Sequence, residues 1–359
     1  MNKDVNNGQS RREFLGRSVA ALAAASFLPS AFSCTGKSVA APAPVDTAAE
    51  AGKVNSKFGG VQIGTITYSW RSMPGGLENI IKYCQEANIS SIELMGGDLE
   101  AYLGAPENPM MKFFRRQASQ PAAKPGEKPA APRRMGPPKF TPEQQAEIDK
   151  YKEEVKAWRL GLDLSKVEGA RKLLSDAGIS VHPSGMGSDE EVDYAFKVAK
   201  AMGAKAVTDE INLETAKRVA PFAEKHGMYM AFHNHMQYAE EGFSCDPILA
   251  ISPSIMLNFD AGHFFGSTGI HPNEMIKKYH DRIYSIHLKD KTGPTTGDQP
   301  NTNQVWGQGE MPLEDVLLLI KQEKWPIYCD IELEYDIKPW SDSVKEVGTC
   351  VKYARQILM

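Results

Sequence analysis

The sequence predicts a closed (β/α)8 barrel, the TIM barrel architecture, and three observations favour it. Short apolar runs alternate with longer amphipathic segments from residue 61 to the end of the chain, which is typical of parallel strands joined by helices. Eight strand–helix pairs can be assigned, the number that closes a barrel. Ionisable residues gather at the carboxyl end of the runs, the end at which barrel enzymes build their sites.

The predicted strands are short apolar runs of the length expected for buried strands. They are assigned to residues 61–66, 91–95, 179–182, 206–210, 228–235, 255–260, 283–288 and 326–333. The predicted helices have apolar residues three and four apart, as Leu77, Ile80 and Cys84 show for the first of them. They are assigned to 77–87, 168–177, 192–202, 215–226, a short segment near Pro247, 274–280, 313–322 and 344–358. Glycines at 203 and 227 end two of these helices.

The first 57 residues are predicted to lie outside the barrel. Residues 1–34 contain the pair Arg11-Arg12 and then an Ala-rich apolar run, which together indicate a twin-arginine signal peptide. Cys34 stands in a sequence similar to a lipoprotein cleavage box, and a lipid anchor there stays open. Residues 35–57 are rich in Ala, Pro, Ser and Lys and are interpreted as a linker. We therefore expect an exported protein, either periplasmic or an outer-membrane lipoprotein.

The predicted barrel spans residues 58–359, and one insertion at 98–164 interrupts it. Residues 120–138 hold many Pro, Ala, Lys and Arg and few apolar residues, so partial disorder is expected. Residues 142–158 have a helical pattern. Two interpretations stay open for the insertion, a solvated appendage and a lid over the barrel mouth.

Composition excludes some classes of partner. The chain of 359 residues is 42% apolar and has a net charge of −4. Nucleic acid and anionic membrane surfaces select strongly basic proteins, so neither is expected as a partner. The four cysteines after Cys34 have no metal or redox spacing, so buried free thiols are expected, and a single disulfide bridge is the alternative.

Ionisable residues near the predicted strand ends are the main functional signal. They are Glu93, Asp209, Glu210, His233, His235, Asp260, His263, His287, Lys289, Asp290, Glu332 and Glu334. Buried charges at such positions are unfavourable unless they pair with one another or bind a cation. Isolated salt bridges explain one or two of them, whereas a ring of carboxylates and imidazoles indicates a common site.

The motifs at these strand ends resemble those of the xylose isomerase-like barrel superfamily, which includes sugar isomerases, sugar epimerases, inosose dehydratases and endonuclease IV. The resemblance covers residues 61–359 and rests on His233-Asn234-His235, Asp260-Ala261-Gly262-His263, His287-Leu288-Lys289-Asp290, Gly307-Gln308-Gly309 and Glu332-Leu333-Glu334. Within the superfamily, the chain is most similar to exported proteins described as sugar phosphate isomerase/epimerase. The resemblance implies one divalent metal held between strand ends.

The resemblance implies that Asp260, His287 and Glu332 are metal ligands. Epimerases of the superfamily have a Glu at the position where this chain has His233. We predict that Glu210 supplies the missing carboxylate, and His233 is the alternative fourth ligand. Three carboxylates and one imidazole suit Mn²⁺, Mg²⁺, Co²⁺ or Zn²⁺.

Roles are also predicted for residues around this shell. His233 or His235 would remove a proton next to a carbonyl group, and Lys289 would stabilise the developing oxyanion or form a salt bridge. We expect substrate contacts from Glu93, Trp70, Glu334 and His263. Structural ion pairs or core packing are the alternative roles for these residues. Other aromatic candidates for stacking on a sugar ring are Tyr68, Phe264, Phe265 and Trp306.

These assignments predict a metal-dependent sugar enzyme, either an isomerase or epimerase or a lyase or hydrolase of 3-keto glycosides. Its partner would be a small carbohydrate. A non-catalytic carbohydrate-binding barrel is the alternative from another class. A nuclease resembling endonuclease IV is disfavoured because strand seven is followed by no Asp-x-His pair and the chain lacks a basic excess.

Overall fold

The computed structural model describes residues 53–110, 140–185 and 191–359. Its eight barrel strands are β1 (Val61–Ile66), β2 (Ser91–Met95), β3 (Ser180–Gly185), β4 (Ala206–Glu210), β5 (Tyr229–His233), β6 (Ile255–Asp260), β7 (Ile283–Leu288) and β8 (Tyr328–Ile331). Every strand pairs in parallel with the next, and β8 pairs with β1 to close the ring. The predicted (β/α)8 barrel is confirmed.

The helices lie between the strands in the chain. They are α1 (Leu77–Ala87), α2 (Gly96–Leu103), α3 (Pro142–Leu160), α4 (Leu164–Asp176), α5 (Val192–Ala201), α6 (Leu213–His226), α7 (Asp246–Leu249), α8 (Ala261–Thr268), α9 (Pro272–Tyr279), α10 (Leu313–Glu323) and α11 (Ser343–Leu358). Their buried apolar faces and those of the strands form one hydrophobic core. Among the described residues, no helix is both long enough and apolar enough to cross a membrane.

Several predicted strands end earlier in the structure than in the sequence assignment. β5 ends at His233, so His235 belongs to the following loop. β8 ends at Ile331, which places Glu332 and Glu334 in the connection to α11. The helices α2 and α8 were not predicted; each begins directly after its strand and has only eight residues, too few for a clear helical period.

The insertion is attached to the barrel by a buried ion-pair cluster. α3 begins with a capping box between Thr141 and Gln144 and ends next to Arg159, whose guanidinium lies 2.7 Å from Glu100 and 2.7 Å from Glu191. The helix was predicted to within two residues. The remaining predictions for the signal peptide, Cys34, most of the linker and residues 111–139 lie outside the described residues. Within them, Cys84, Cys245, Cys329 and Cys350 are free and buried.

A layer of buried polar side chains fills the barrel below its mouth. His182 on β3 reaches Asp330 on β8 with Nε2 2.8 Å from Oδ1, and its Nδ1 contacts the Ser91 hydroxyl. A Cβ at residue 64 would lie 2.2 Å from Asp330 Oδ1 and 2.8 Å from the His182 ring. Gly64 therefore lets this pair bridge the interior across β1.

Candidate metal and active site

A cavity of about 370 Å³ opens at the carboxyl end of the barrel. It is lined by Ile66, Tyr68, Glu93, Met95, Thr208, Asp209, Glu210, His233, His235, His287, Glu332 and Glu334. These residues come from β1, β2, β4, β5 and β7, from the turn after β1 and from the loops after β5 and β8. The structure therefore brings to one place most of the ionisable residues that the sequence marks at strand ends.

Ligand atoms of His233, Asp260 and His287 all lie within 4.8 Å of one another. Asp260 ends β6 and also caps α8, because its Oδ1 accepts a hydrogen bond from the backbone N–H of His263 at 2.7 Å. Its second oxygen, Oδ2, is left facing the cluster, 3.7 Å from His233 Nε2. The strand-to-helix turn thus fixes one carboxylate with a single oxygen available.

Asn258 orients both imidazoles of this cluster. Its Oδ1 lies 2.9 Å from His233 Nδ1, and its Nδ2 donates to Glu93 Oε2 at 2.7 Å. Glu93 in turn lies 2.7 Å from His287 Nε2. Burial lowers the pKa of His233, and the neighbouring His287 charge lowers it further. His233 is therefore neutral, with its Nδ1 proton directed to Asn258 and the Nε2 lone pair directed toward Asp260.

His287 lies between two carboxylates. Its Nε2 faces Glu93 and its Nδ1 lies 2.8 Å from Glu332 Oε2. Burial opposes a charge on the ring, but Glu93 and Glu332 raise its pKa well above the usual value. The pKa values of both carboxyls are lowered, although burial acts in the opposite direction. Without a metal, His287 is an imidazolium held by two carboxylates.

The Lys289 ammonium joins three carboxylates. Nζ lies 2.8 Å from each of Asp260 Oδ2, Glu332 Oε2 and Glu334 Oε2. Burial disfavours the charge, but these carboxylates raise the pKa of Lys289. Lys289 in turn lowers the pKa of Asp260 to about 2 against the effect of burial. A Cβ at Gly262 would lie 2.2 Å from Lys289 Cγ, so this glycine makes room for the lysine stem.

Comparison with known families matches residues 160–352, more than half of the chain, to the family described as xylose isomerase-like TIM barrel. The chain belongs to this family. The match covers β3 to β8 and so includes every residue of the cluster just described except Glu93.

The curated proteins that this chain resembles match it at low sequence identity and over about a third of its length. An inosose dehydratase from Clostridium botulinum is 28% identical over 137 residues, which are 33% of this chain and 45% of the dehydratase. The chain thus spans less than half the length of the curated relatives it matches.

Solved structures share the fold at low identity. D-psicose 3-epimerase from Clostridium cellulolyticum H10 is 9% identical, with a TM-score of 0.52 over 83% of this chain and 99% of the epimerase. The IolI protein, solved with a bound zinc atom, is 12% identical, with a TM-score of 0.51 over 83% of this chain and 98% of IolI.

The xylose isomerase-like site has a donor set that fits a divalent cation. His233 and His287 offer imidazole nitrogens, and Asp260 and Glu332 offer carboxylate oxygens, the donor types that transition metals select. Four carboxylates, those of Glu93, Asp260, Glu332 and Glu334, surround one ammonium and one imidazolium. This excess of buried negative charge favours an additional cation.

The other predicted site residues lie at different depths. Glu210 is exposed at the mouth, where Oε2 lies 2.9 Å from His235 Nδ1, and it is not part of a three-ligand cluster among the described residues. His263 lies 3.5 Å from Glu334, and burial lowers its pKa to about 4. Trp70 is buried, packs against Tyr83 and does not line the cavity.

The glycine motif after β7 has a structural explanation. Asp290 Oδ2 accepts hydrogen bonds from the backbone N–H groups of Gly307 at 2.8 Å and Gly309 at 2.9 Å. A Cβ at Gly309 would lie 2.1 Å from Asp290 Oδ1. The motif therefore folds the long loop back onto β7 and holds it beside the site.

Proposed function

We propose that this protein is a divalent-metal-dependent enzyme that removes a proton next to the carbonyl group of a keto sugar. The observation behind this proposal is the convergence of His233, Asp260 and His287 within 4.8 Å, with Glu332 2.8 Å from His287. The similarity to inosose dehydratases supports sugar chemistry, and IolI, which shares the fold, was solved with a bound zinc atom.

The proposed ligands are His233 Nε2, Asp260 Oδ2, His287 Nδ1 and Glu332. The metal would polarise the carbonyl oxygen of the sugar. Asn258 accepts the Nδ1 proton of His233, and Glu93 accepts the Nε2 proton of His287. Such contacts orient ligating histidines. This set replaces the sequence-based shell, because His233 rather than Glu210 faces Asp260.

Glu210 is then free to orient the proposed base. It accepts the proton of His235 Nδ1 at 2.9 Å, which leaves the Nε2 lone pair of His235 to remove a proton from carbon. The resulting electron pair either takes up a proton again, which isomerises or epimerises the sugar, or expels a group from the neighbouring carbon, which makes the enzyme a dehydratase or lyase.

Of the two alternatives predicted for Lys289, the structure favours the salt bridge over the oxyanion contact. Its ammonium lies 2.8 Å from each of Asp260, Glu332 and Glu334 and donates a hydrogen bond to Glu334, so carboxylates surround it. We assign to it the positioning of two metal ligands and the balance of their charge. His263 and Glu334 complete this side of the site.

The lining of the cavity favours an uncharged sugar. Five carboxylates line it, and in the described ranges neither lysine nor arginine does. A phosphate group would be repelled by this field. We also propose that the protein acts outside the cytoplasm, on the basis of the twin-arginine sequence at residues 10–16.

The test is turnover of 3-keto glucosides and free ketoses in D₂O followed by NMR after loading with each candidate metal. Deuterium uptake beside the carbonyl group without bond cleavage would identify an isomerase or epimerase, and loss of water or of the aglycone would identify a dehydratase or lyase. Asp260→Asn should abolish either signal. Asp315→Asn is the matched control, because Asp315 also pairs with a histidine, His271, but on the exposed surface.

Two outcomes would reject this function. Wild-type protein that exchanges no proton and cleaves no bond with any metal would instead favour a carbohydrate-binding barrel. Equal loss of turnover in Asp260→Asn and Asp315→Asn would show that the buried cluster has no special part in the reaction.

A further inference from the structure

The cavity has walls of opposite character. The side formed by β4, β5 and the loop after β5 presents Asp209, Glu210 and His235. The side formed by the ends of β1 and β2 presents Ile66, Tyr68 and Met95, and among the described residues of this side the one charged side chain that lines the cavity is Glu93, which lies deeper. A ligand that fills the whole cavity must therefore be polar on one side and apolar on the other.

The apolar wall remains accessible although its residues are large. Tyr68 is 39% exposed and Met95 is 40% exposed, while the remaining aromatic candidates from the sequence that lie nearby, such as Trp70 and Phe264, are buried. Tyr68 lies in the short helical turn after β1, and Met95 is the last residue of β2. Both positions adjoin Glu93, which lies deeper in the same cavity.

The Tyr68 ring is held in place before any ligand binds. The Arg71 guanidinium lies 4.5 Å from the ring centroid and donates to the carbonyl oxygens of Leu333 and Tyr68. Arg71 does not line the cavity, whereas Tyr68 does. The guanidinium therefore covers one side of the ring, and the cavity has access to the rest of it. A preorganised aromatic surface binds a flat partner with little loss of side-chain entropy.

We infer that Tyr68 and Met95 form a subsite for a ring attached to the reacting sugar, so that the substrate is a glycoside rather than a free monosaccharide. This inference rests on the proposed function, which places the reacting sugar beside the metal ligands. An aromatic aglycone and the C–H face of a second sugar share the chemistry that this wall recognises, because both present a flat apolar surface to Tyr68. The proposed metal ligands and His235 would face the first ring, and Tyr68 and Met95 would contact the second.

The test compares the binding of paired ligands by calorimetry. The probes are methyl, phenyl and glucosyl 3-keto-β-glucosides, which differ only in the group that would reach the rim. We expect the wild type to bind the phenyl or the glucosyl compound roughly three- to tenfold more tightly than the methyl compound. A larger gain for the phenyl compound would indicate an aromatic aglycone, and a larger gain for the glucosyl compound would indicate a second sugar.

Variants separate the rim from the rest of the site. Tyr68→Ala should abolish the preference over the methyl compound, and Met95→Ala should reduce it. Tyr229→Ala is the matched control, because Tyr229 is equally exposed at 39% but begins β5 at the opposite end of the barrel. It should retain the full preference.

The outcomes distinguish this inference from the proposed function. If the wild type turns over all three probes and binds them equally, the subsite is wrong and the proposed function stands. If Tyr68→Ala retains the preference, the subsite is also wrong. If no probe binds or reacts, both proposals are overturned.

Discussion

Replacement of Asn258 tests whether the buried network positions the metal ligands. Asn258→Leu would remove a hydrogen bond of 2.9 Å with His233 and one of 2.7 Å with Glu93. The hydrogen bond to the charged Glu93 carboxylate is worth about 1.5–3 kcal/mol, and the neutral hydrogen bond with His233 is worth about 0.5–1.5 kcal/mol. We therefore expect a loss of about 2–4 kcal/mol in the free energy of unfolding, measured on metal-free protein by denaturant titration.

The same substitution should weaken metal binding. Loss of a group that orients a ligating histidine lowers metal affinity by about 10–100-fold, which corresponds to about 1.4–2.8 kcal/mol. Competition with a chromophoric chelator would measure this. Asn79→Leu is the control, because Asn79 bonds only to a backbone carbonyl on the exposed surface. Unchanged metal affinity in Asn258→Leu would refute the assignment of His233 Nε2 as a ligand oriented by Asn258.

Three other perturbations have definite expected results. Gly262→Ala places a Cβ 2.2 Å from the Lys289 stem, so it should lower stability by about 1–3 kcal/mol; an unchanged melting temperature would contradict the packing. The pKa of His287 is raised above 6.5, so its contribution to the stability of metal-free protein should be full below about pH 6.5 and disappear as pH rises through the raised value. Metal affinity should increase over the same range, because the metal displaces that proton. Arg159→Met should destabilise the protein by about 1–3 kcal/mol, because Glu100 and Glu191 lose their ion pairs with this partly exposed guanidinium while Glu100 keeps its hydrogen bond from the Tyr194 hydroxyl, and proteolysis should then cleave α3 faster.

The sequence was sufficient to predict the fold because the apolar runs keep the spacing of strands and helices along the whole barrel. It was also sufficient to mark Asp260, His287 and Glu332, since strand ends meet at one mouth in a barrel. These predictions need only the order of elements. They require no knowledge of side-chain direction.

The choice between Glu210 and His233 as the proposed fourth ligand was left open by the sequence because it depends on where a strand stops. His233 and His235 were both assigned to the predicted strand at 228–235, but β5 ends at His233, and His235 lies beside Glu210 at the mouth. Asn258 was missed, although it lies two residues before Asp260 and therefore projects to the same face. An amide carries no charge, so Asn258 does not stand out among apolar residues as the ionisable groups at strand ends do.

The measurement that tests the account most directly is the metal content of purified protein after dialysis. We predict one divalent ion per chain in the wild type, loss of that ion in His233→Ala and Asp260→Asn, and retention of it in Glu210→Gln. Glu210→Gln should lower turnover, because His235 loses the carboxylate that orients it. A wild-type protein that binds no divalent ion, or a Glu210→Gln variant that loses the ion while His233→Ala retains it, would contradict the proposed site.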